Sequence, residues 1–450
     1  MNIINRGELS FNPGELTYGF TSPLWLFLIV VINLVIHNIL LVPTLLSIIF
    51  GMAYITLWWI IITKIIHQRT LQIYALLLVS IDPNLLKHTY TGLETTAVYF
   101  FSLAILYVFF IREHPNSFLM GVIIGFSILI RPDLLLISIL IHLINNKRIL
   151  SDEFFKVLAG AAILVIPWLI FAYFYFGTFL PSTFYAKGAD YPIGRYFIAN
   201  IKASLMIFLG TYLFVFIQLL VLGRSRLKEF SNTRFQRYYT FLIVLIASYL
   251  LFYSLTISNE FIFSRYYCIV FPPIFLGLFL FLDLQQNTKM QKIRSIMYYL
   301  IPVYFLFISS FHAGIYRQIY FESEKAEDQI IKWTIKNTKT DDRIYRDRIG
   351  KIGFLTQRYI VDPVGLINPG ISKYRLKGDI VSFLKMKKTT ILIGPKLNDE
   401  IELERKIPKN IFLLDSIATR DNFLVRQQFI KMLNMKPNNI VYCKISKIQW

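Results

Sequence analysis

The chain has 450 residues, 55% of them hydrophobic and only 16% charged, with a formal net charge of +20. Soluble domains carry about 25% charged residues, so this composition, with a mean hydropathy of +0.54, excludes a wholly water-solvated protein and points to a multi-spanning membrane protein. The basic residues are spread over short loops and a C-terminal tail, not gathered into a patch interleaved with aromatics, which excludes a nucleic-acid partner and favours anionic lipid head groups.

In chain order, the first informative stretch is 12–25, Asn-Pro-Gly-Glu-Leu-Thr-Tyr-Gly-Phe-Thr-Ser-Pro-Leu-Trp. A polar turn leads through Tyr18 and Thr21 into Ser22-Pro23, where proline suits the first turn of an apolar helix. The apolar run 24–36 is shorter than the roughly 20 residues a membrane crossing needs, so it is expected to dip into one leaflet or lie on the surface. Ten further apolar runs follow, near 44–63, 71–82, 95–111, 118–130, 133–145, 155–177, 204–222, 238–257, 267–283 and 296–312. Counting loops from Pro43, one alternating set holds fourteen Lys and Arg and the other six, which assigns the first set to the cytoplasm. The expected organisation is an outer loop with a partial helix over 1–43, a transmembrane domain of about ten helices over 44–317, and an extracytoplasmic α/β domain over 318–450. In that last region an amphipathic helix is expected over 322–337 and buried strands over 358–362, 390–394 and 439–443. It holds 25 basic and 15 acidic residues, which suits a neighbouring bilayer or a polyanionic glycan.

Four later loops assigned to the outer side carry polar chemistry at helix ends. Glu94 follows Thr91-Gly-Leu at the start of a span, where its plainest role is to complement the helix dipole. Arg131-Pro132-Asp133 turns between two short spans; a structural ion pair is the bland reading, and charges this near the membrane interior are otherwise functional candidates. Thr183, Tyr185 and Lys187 share a third loop, where Lys187 offers a point charge for a phosphate or simply snorkels to the interface. Arg265 enters a helix N-terminus, an unfavourable place for a cation, so it is expected to have an anionic partner: Glu260 or a ligand phosphate. Phosphate-binding glycine loops, metal-spaced His/Cys clusters and nucleophile elbows are absent from the sequence.

Taken together, the segment from Phe11 to Trp25, Thr91-Gly-Leu-Glu94-Thr, Arg131-Pro-Asp133, Pro181-Ser-Thr-Phe-Tyr-Ala-Lys187, Gly350-Lys-Ile-Gly-Phe-Leu and Val361-Asp-Pro-Val-Gly-Leu-Ile-Asn368 resemble, in order, the polytopic GT-C glycosyltransferases. The similarity is to the mycobacterial terminal β-arabinofuranosyltransferase and its homologues. It implies an α-helical polytopic GT-C-like membrane protein with a C-terminal extracytoplasmic α/β domain, moving a sugar from a polyprenyl-phosphate donor to a cell-envelope glycan, lipid or protein. Glu94 and Glu15 are the catalytic candidates among the carboxylates present, and Lys187, Arg265, Arg131 and Tyr185 the donor-phosphate candidates. Asp133, Thr183, Glu260, Tyr18 and Thr21 are expected in support, sometimes with a divalent metal (Mg or Mn) nearby. The family has a spanning helix and an Asp-Asp segment before the region matching Asn2, so the expectation is that the general base lies upstream of Met1 and that residues 1–450 alone are inactive or very weak. Two other classes remain: a lipid-linked sugar flippase, and an inactive truncated homologue serving as a membrane scaffold.

Overall fold

The computed structural model describes residues 2–112, 115–145, 151–186, 194, 196–226, 233–257, 264–283, 288–346, 348–368, 370–377, 379–394, 411–420 and 440–448. The chain divides into two compact units, a sheet unit of residues 1–20, 172–192 and 314–450 and a helical unit of residues 21–171 and 193–313.

Local chemistry starts and stops the helices. After α1 (Asn2–Arg6), α2 (Pro23–Ile36) opens with proline in its first turn and closes on His37 in the left-handed region, a stop after 14 residues that leaves it too short to span. Next come α3 (Val42–Ile65), α4 (Arg69–Ser80) and α5 (Pro83–Thr89), the last capped by Asp82, whose carboxylate accepts from the Asn84 N–H. Then follow α6 (Thr95–Leu106, continued by a π turn to Ile111), α7 (Ser117–Ile130), α8 (Leu134–Asn145), α9 (Asp152–Phe176), the single turn α10 (Ser182–Phe184), α11 (Phe197–Arg226), α12 (Thr233–Thr256), α13 (Phe271–Asp283) and α14 (Thr288–Asn337). Each of the ten apolar runs is therefore helical. Among the described residues four helices are long and apolar enough to cross a membrane unaided: Val42–Ile65, Asp152–Phe176, Phe197–Leu219 and Gln236–Thr256.

The helical unit has an aromatic interior in which Tyr99, Tyr212, Phe271, Phe275 and Trp58 are fully buried. At the start of α13, Pro273 has no N–H to offer the Ile269 carbonyl, which accepts instead from Ser102 Oγ (2.7 Å), and the Pro273 carbonyl also accepts from Tyr238 OH (2.6 Å). A second buried knot ties three elements. Asp82 accepts from Tyr212 OH (2.7 Å) on α11 and Tyr99 OH (3.2 Å) on α6, besides its capping bond.

In the sheet unit, β1 (Arg343–Tyr345), α15 (Ile349–Thr356), β2 (Tyr359–Val361), α16 (Ile371–Leu376), α17 (Ile380–Met386), β3 (Ile391–Gly394), β4 (Ile411–Arg420) and β5 (Ile440–Ile448) form one sheet in the order β2-β1-β3-β5-β4. β1 pairs in parallel with β2 and β3, and β5 runs antiparallel to both β3 and β4. The three expected strands are present as β2, β3 and β5. The helix expected over 322–337 is not separate: it is the end of the 50-residue α14, because residues 312–321 change in polarity without a proline to stop the helix.

Candidate functional site

In the helical unit, three of the singled-out stretches converge. Arg131 caps α7, its N–H held by the Ser127 carbonyl at 2.8 Å. Its guanidinium donates to the Arg265 carbonyl (2.8 Å) and the Tyr253 hydroxyl (3.0 Å) and forms an ion pair with Asp133. The Tyr253 hydroxyl in turn donates to the Asp133 carboxylate, and Tyr249 OH donates to the Asp133 carbonyl at 2.5 Å. The ion pair weighed from sequence is thus formed, and most of the Arg131 fork is used in holding two loops together. The other Asp133 oxygen, Oδ1, is buried without a hydrogen-bond partner.

Arg265 lies in a 3-10 turn, Ser264–Tyr266, with its guanidinium over the Tyr266 ring at 5.5 Å. Ser264 Oγ meets Lys87 Nζ at 3.4 Å and His88 Nε2 at 3.2 Å. Glu94 is the N-cap residue of α6, yet its side chain makes no capping bond, so the dipole-complementing role is not reinforced by a hydrogen bond. It is partly buried. Lys187 and Glu260 lie outside the described residues. Thr21, partly buried, precedes α2 in this unit.

Glu15 and Tyr18 belong to the sheet unit. The Glu15 carboxylate accepts from the Lys387 ammonium and the Tyr359 hydroxyl. Tyr18 is buried, its ring stacked on Phe176 at 5.1 Å, and its carbonyl accepts from the Ser182 N–H at 2.7 Å. Thr183 is buried with no partner for its hydroxyl, and Tyr185 is 41% exposed beside Phe184. No group of three or more His, Cys, Asp or Glu side chains suited to a metal occurs among the described residues. The Glu15 carboxylate faces the Lys387 ammonium, a poor neighbour for a divalent cation. The residues described do not fit a metal.

Sequence reading missed Tyr249 and Tyr253, hydroxyls one turn apart on an apolar helix, a spacing that does mark a polar stripe. It also missed Tyr359 and Lys387, for which no local signal exists.

A family model described as a domain of unknown function (DUF8728) matches residues 314–433. No curated protein matches the chain. Among solved structures, the fold is similar to the crystal structure of ArnT from Cupriavidus metallidurans bound to undecaprenyl phosphate, with a TM-score of 0.56 at 10% identity over 95% of this chain and 88% of that one. The apo state of the same protein gives 0.53 at 10% identity over 89% and 83%. At such identities the likeness is one of fold, which is α-helical, polytopic and GT-C-like, with a sheet in the C-terminal region.

Proposed function

We propose that this chain is an integral-membrane glycosyltransferase that moves a sugar from a polyprenyl-phosphate donor to a cell-envelope acceptor. The observation that carries this reading is the meeting of Lys87 and His88 on Ser264, beside Arg265, whose carbonyl Arg131 holds, on a fold whose solved counterpart holds undecaprenyl phosphate. A lipid phosphate leaving with its negative charge needs cations and hydroxyl donors in a low-dielectric setting, where they count for more than in water. In this reading the acceptor hydroxyl attacks the anomeric carbon, the carbon–oxygen bond to phosphate breaks, polyprenyl phosphate departs, and Glu94 takes the hydroxyl proton. This assignment differs from the base outside residues 1–450 that the family resemblance implies, and transfer by residues 1–450 would test it. Glu94 is preferred to Glu15 because Lys387 and Tyr359 already occupy the Glu15 carboxylate. The enzyme belongs in the cytoplasmic membrane with this face and residues 318–450 outside, as the loop charges ask.

The test is transfer of labelled sugar by the full chain in nanodiscs, offered a panel of polyprenyl-phosphate sugars that begins with arabinofuranose. Glu94→Gln is expected to lower transfer by about 100-fold to 10,000-fold, the usual worth of general-base catalysis. Arg265→Ala is expected to weaken donor binding by about 1.5 to 3 kcal/mol, the scale of a lost charged hydrogen bond. Transfer unchanged in Glu94→Gln removes that assignment, and movement of the donor between leaflets with no transfer replaces the enzyme by a flippase.

A further inference from the structure

The segment that carries Lys87 and His88 is α5, a helix of only seven residues. A helix that short does not hold itself in place, because too few hydrogen bonds offset the cost of nucleating it, so its direction is set by what anchors its ends. At its start stands the Asp82 carboxylate. One oxygen caps the helix through the Asn84 N–H (3.1 Å) and accepts from Tyr212 OH of α11 (2.7 Å), while the other accepts from Tyr99 OH of α6 (3.2 Å). The Asn84 side-chain amide donates to Tyr212 OH as well, at 3.1 Å. All four residues are buried, so water does not compete for these bonds.

The Arg265 side of the candidate site is tied to the same helix. Ser102 lies one turn after Tyr99 on α6, and its hydroxyl donates to the Ile269 carbonyl at 2.7 Å. From Ile269 back to the Ser264–Tyr266 turn the chain is kept compact by two backbone bonds, Tyr267 N–H to the Ser264 carbonyl (3.0 Å) and Val270 N–H to the Tyr267 carbonyl (2.9 Å). The two arms meet where Lys87 and His88 reach Ser264 Oγ. The contacts therefore close a circuit within the helical unit: α6, Asp82, α5, Ser264, the run to Ile269, and back to α6 through Ser102. Opened at any one point, a circuit no longer fixes the distance between its arms, and a second opening changes little.

We infer that Asp82 and Ser102 are positioning residues for the lipid phosphate, together fixing Lys87 and His88 on one arm against Arg265 on the other. Both are fully buried, so they act through the arms and not on the ligand. The inference rests on the proposed polyprenyl-phosphate donor.

The experiment titrates farnesyl phosphate into the full chain in nanodiscs, reading affinity by calorimetry beside the thermal melting of each variant. Asp82→Ala and Ser102→Ala are each expected to weaken binding by about tenfold, the scale of one lost hydrogen bond. The double variant should lose little more than either single one, since members of one network are not additive. Asp82→Asn keeps an acceptor for the Asn84 N–H and Tyr212 and should recover most of the affinity. Tyr239→Phe removes a hydroxyl bond to the Gly277 carbonyl, outside the circuit, and should lower melting with affinity unchanged. If Asp82→Ala does not fold, Tyr99→Phe opens the same circuit by one hydroxyl. Affinity unchanged in both single variants, or losses that multiply in the double one, overturns the positioning role. An equal loss in Tyr239→Phe overturns it too, as a general effect of stability. A parent chain that binds no farnesyl phosphate refutes the lipid-phosphate reading and the positioning role with it, whereas a parent that binds beside unchanged variants removes the positioning role alone.

Discussion

Asp362 shows what one side chain can organise. Fully buried, its carboxylate accepts from the backbone N–H groups of Val364 (2.8 Å), Leu366 (2.5 Å) and Ile367 (3.2 Å), while its own N–H donates to Asn368 Oδ1 (2.7 Å). The turn it closes presents the Leu366 carbonyl to Gly19 and brings Asn368 Nδ2 to within 3.4 Å of the Tyr359 hydroxyl. Asp362→Ala would strand three backbone donors, that of Ile367 buried and those of Val364 and Leu366 part-buried, so a loss of about 2 to 3 kcal/mol is expected in thermal unfolding. Asp362→Asn keeps an acceptor and should lose less. Equal melting of parent and Asp362→Ala would mean that water or a shifted backbone replaces the carboxylate.

At the scale of elements, α7 and α9 approach backbone to backbone. A Cβ on Gly121 would lie 2.0 Å from the Val157 carbonyl oxygen, and one on Gly160 would lie 2.1 Å from that of Phe118. Backbone touches backbone here, and Gly121-Val-Ile-Ile-Gly125 is the small-residue spacing that lets apolar helices pack closely where water supplies no drive. Gly121→Val or Gly160→Val is expected to force the pair apart at a cost of at least about 2 kcal/mol, the scale of overpacking. Gly210 of α11 meets nothing within 4 Å, so Gly210→Ala should be neutral or stabilising by a few tenths of a kcal/mol. Denaturation in mixed micelles would compare them, and equal stabilities would deny the close crossing.

For the whole molecule, orientation is a matter of loop charge. By the positive-inside rule, fourteen basic residues in one set of loops against six in the other predict a cytoplasmic Arg224–Arg237 segment. In a cysteine-free background Ser225→Cys should react with an impermeant maleimide only after the cells are opened, and Asp341→Cys should react on intact cells. The reverse pattern would invert the protein and put the proposed site on the cytoplasmic face.

The sequence by itself determined the class of the chain, since a run of apolar residues dictates helix in lipid whatever else surrounds it. It also marked β2, β3 and β5 as short β-branched runs, and its ordered loop motifs implied a GT-C-like fold. β1 was not legible: three residues, opening with Arg343, have no periodicity to read. Nor was the continuity of α14, because polarity changed there while helical geometry did not. Only the tertiary structure decided that Arg131 pairs with Asp133 while also holding Arg265, and that Glu15 meets Lys387 across 372 positions of chain. Local patterns encode which face of an element is apolar, whereas a partner that far along the chain is chosen by topology, and no spacing in the sequence records it.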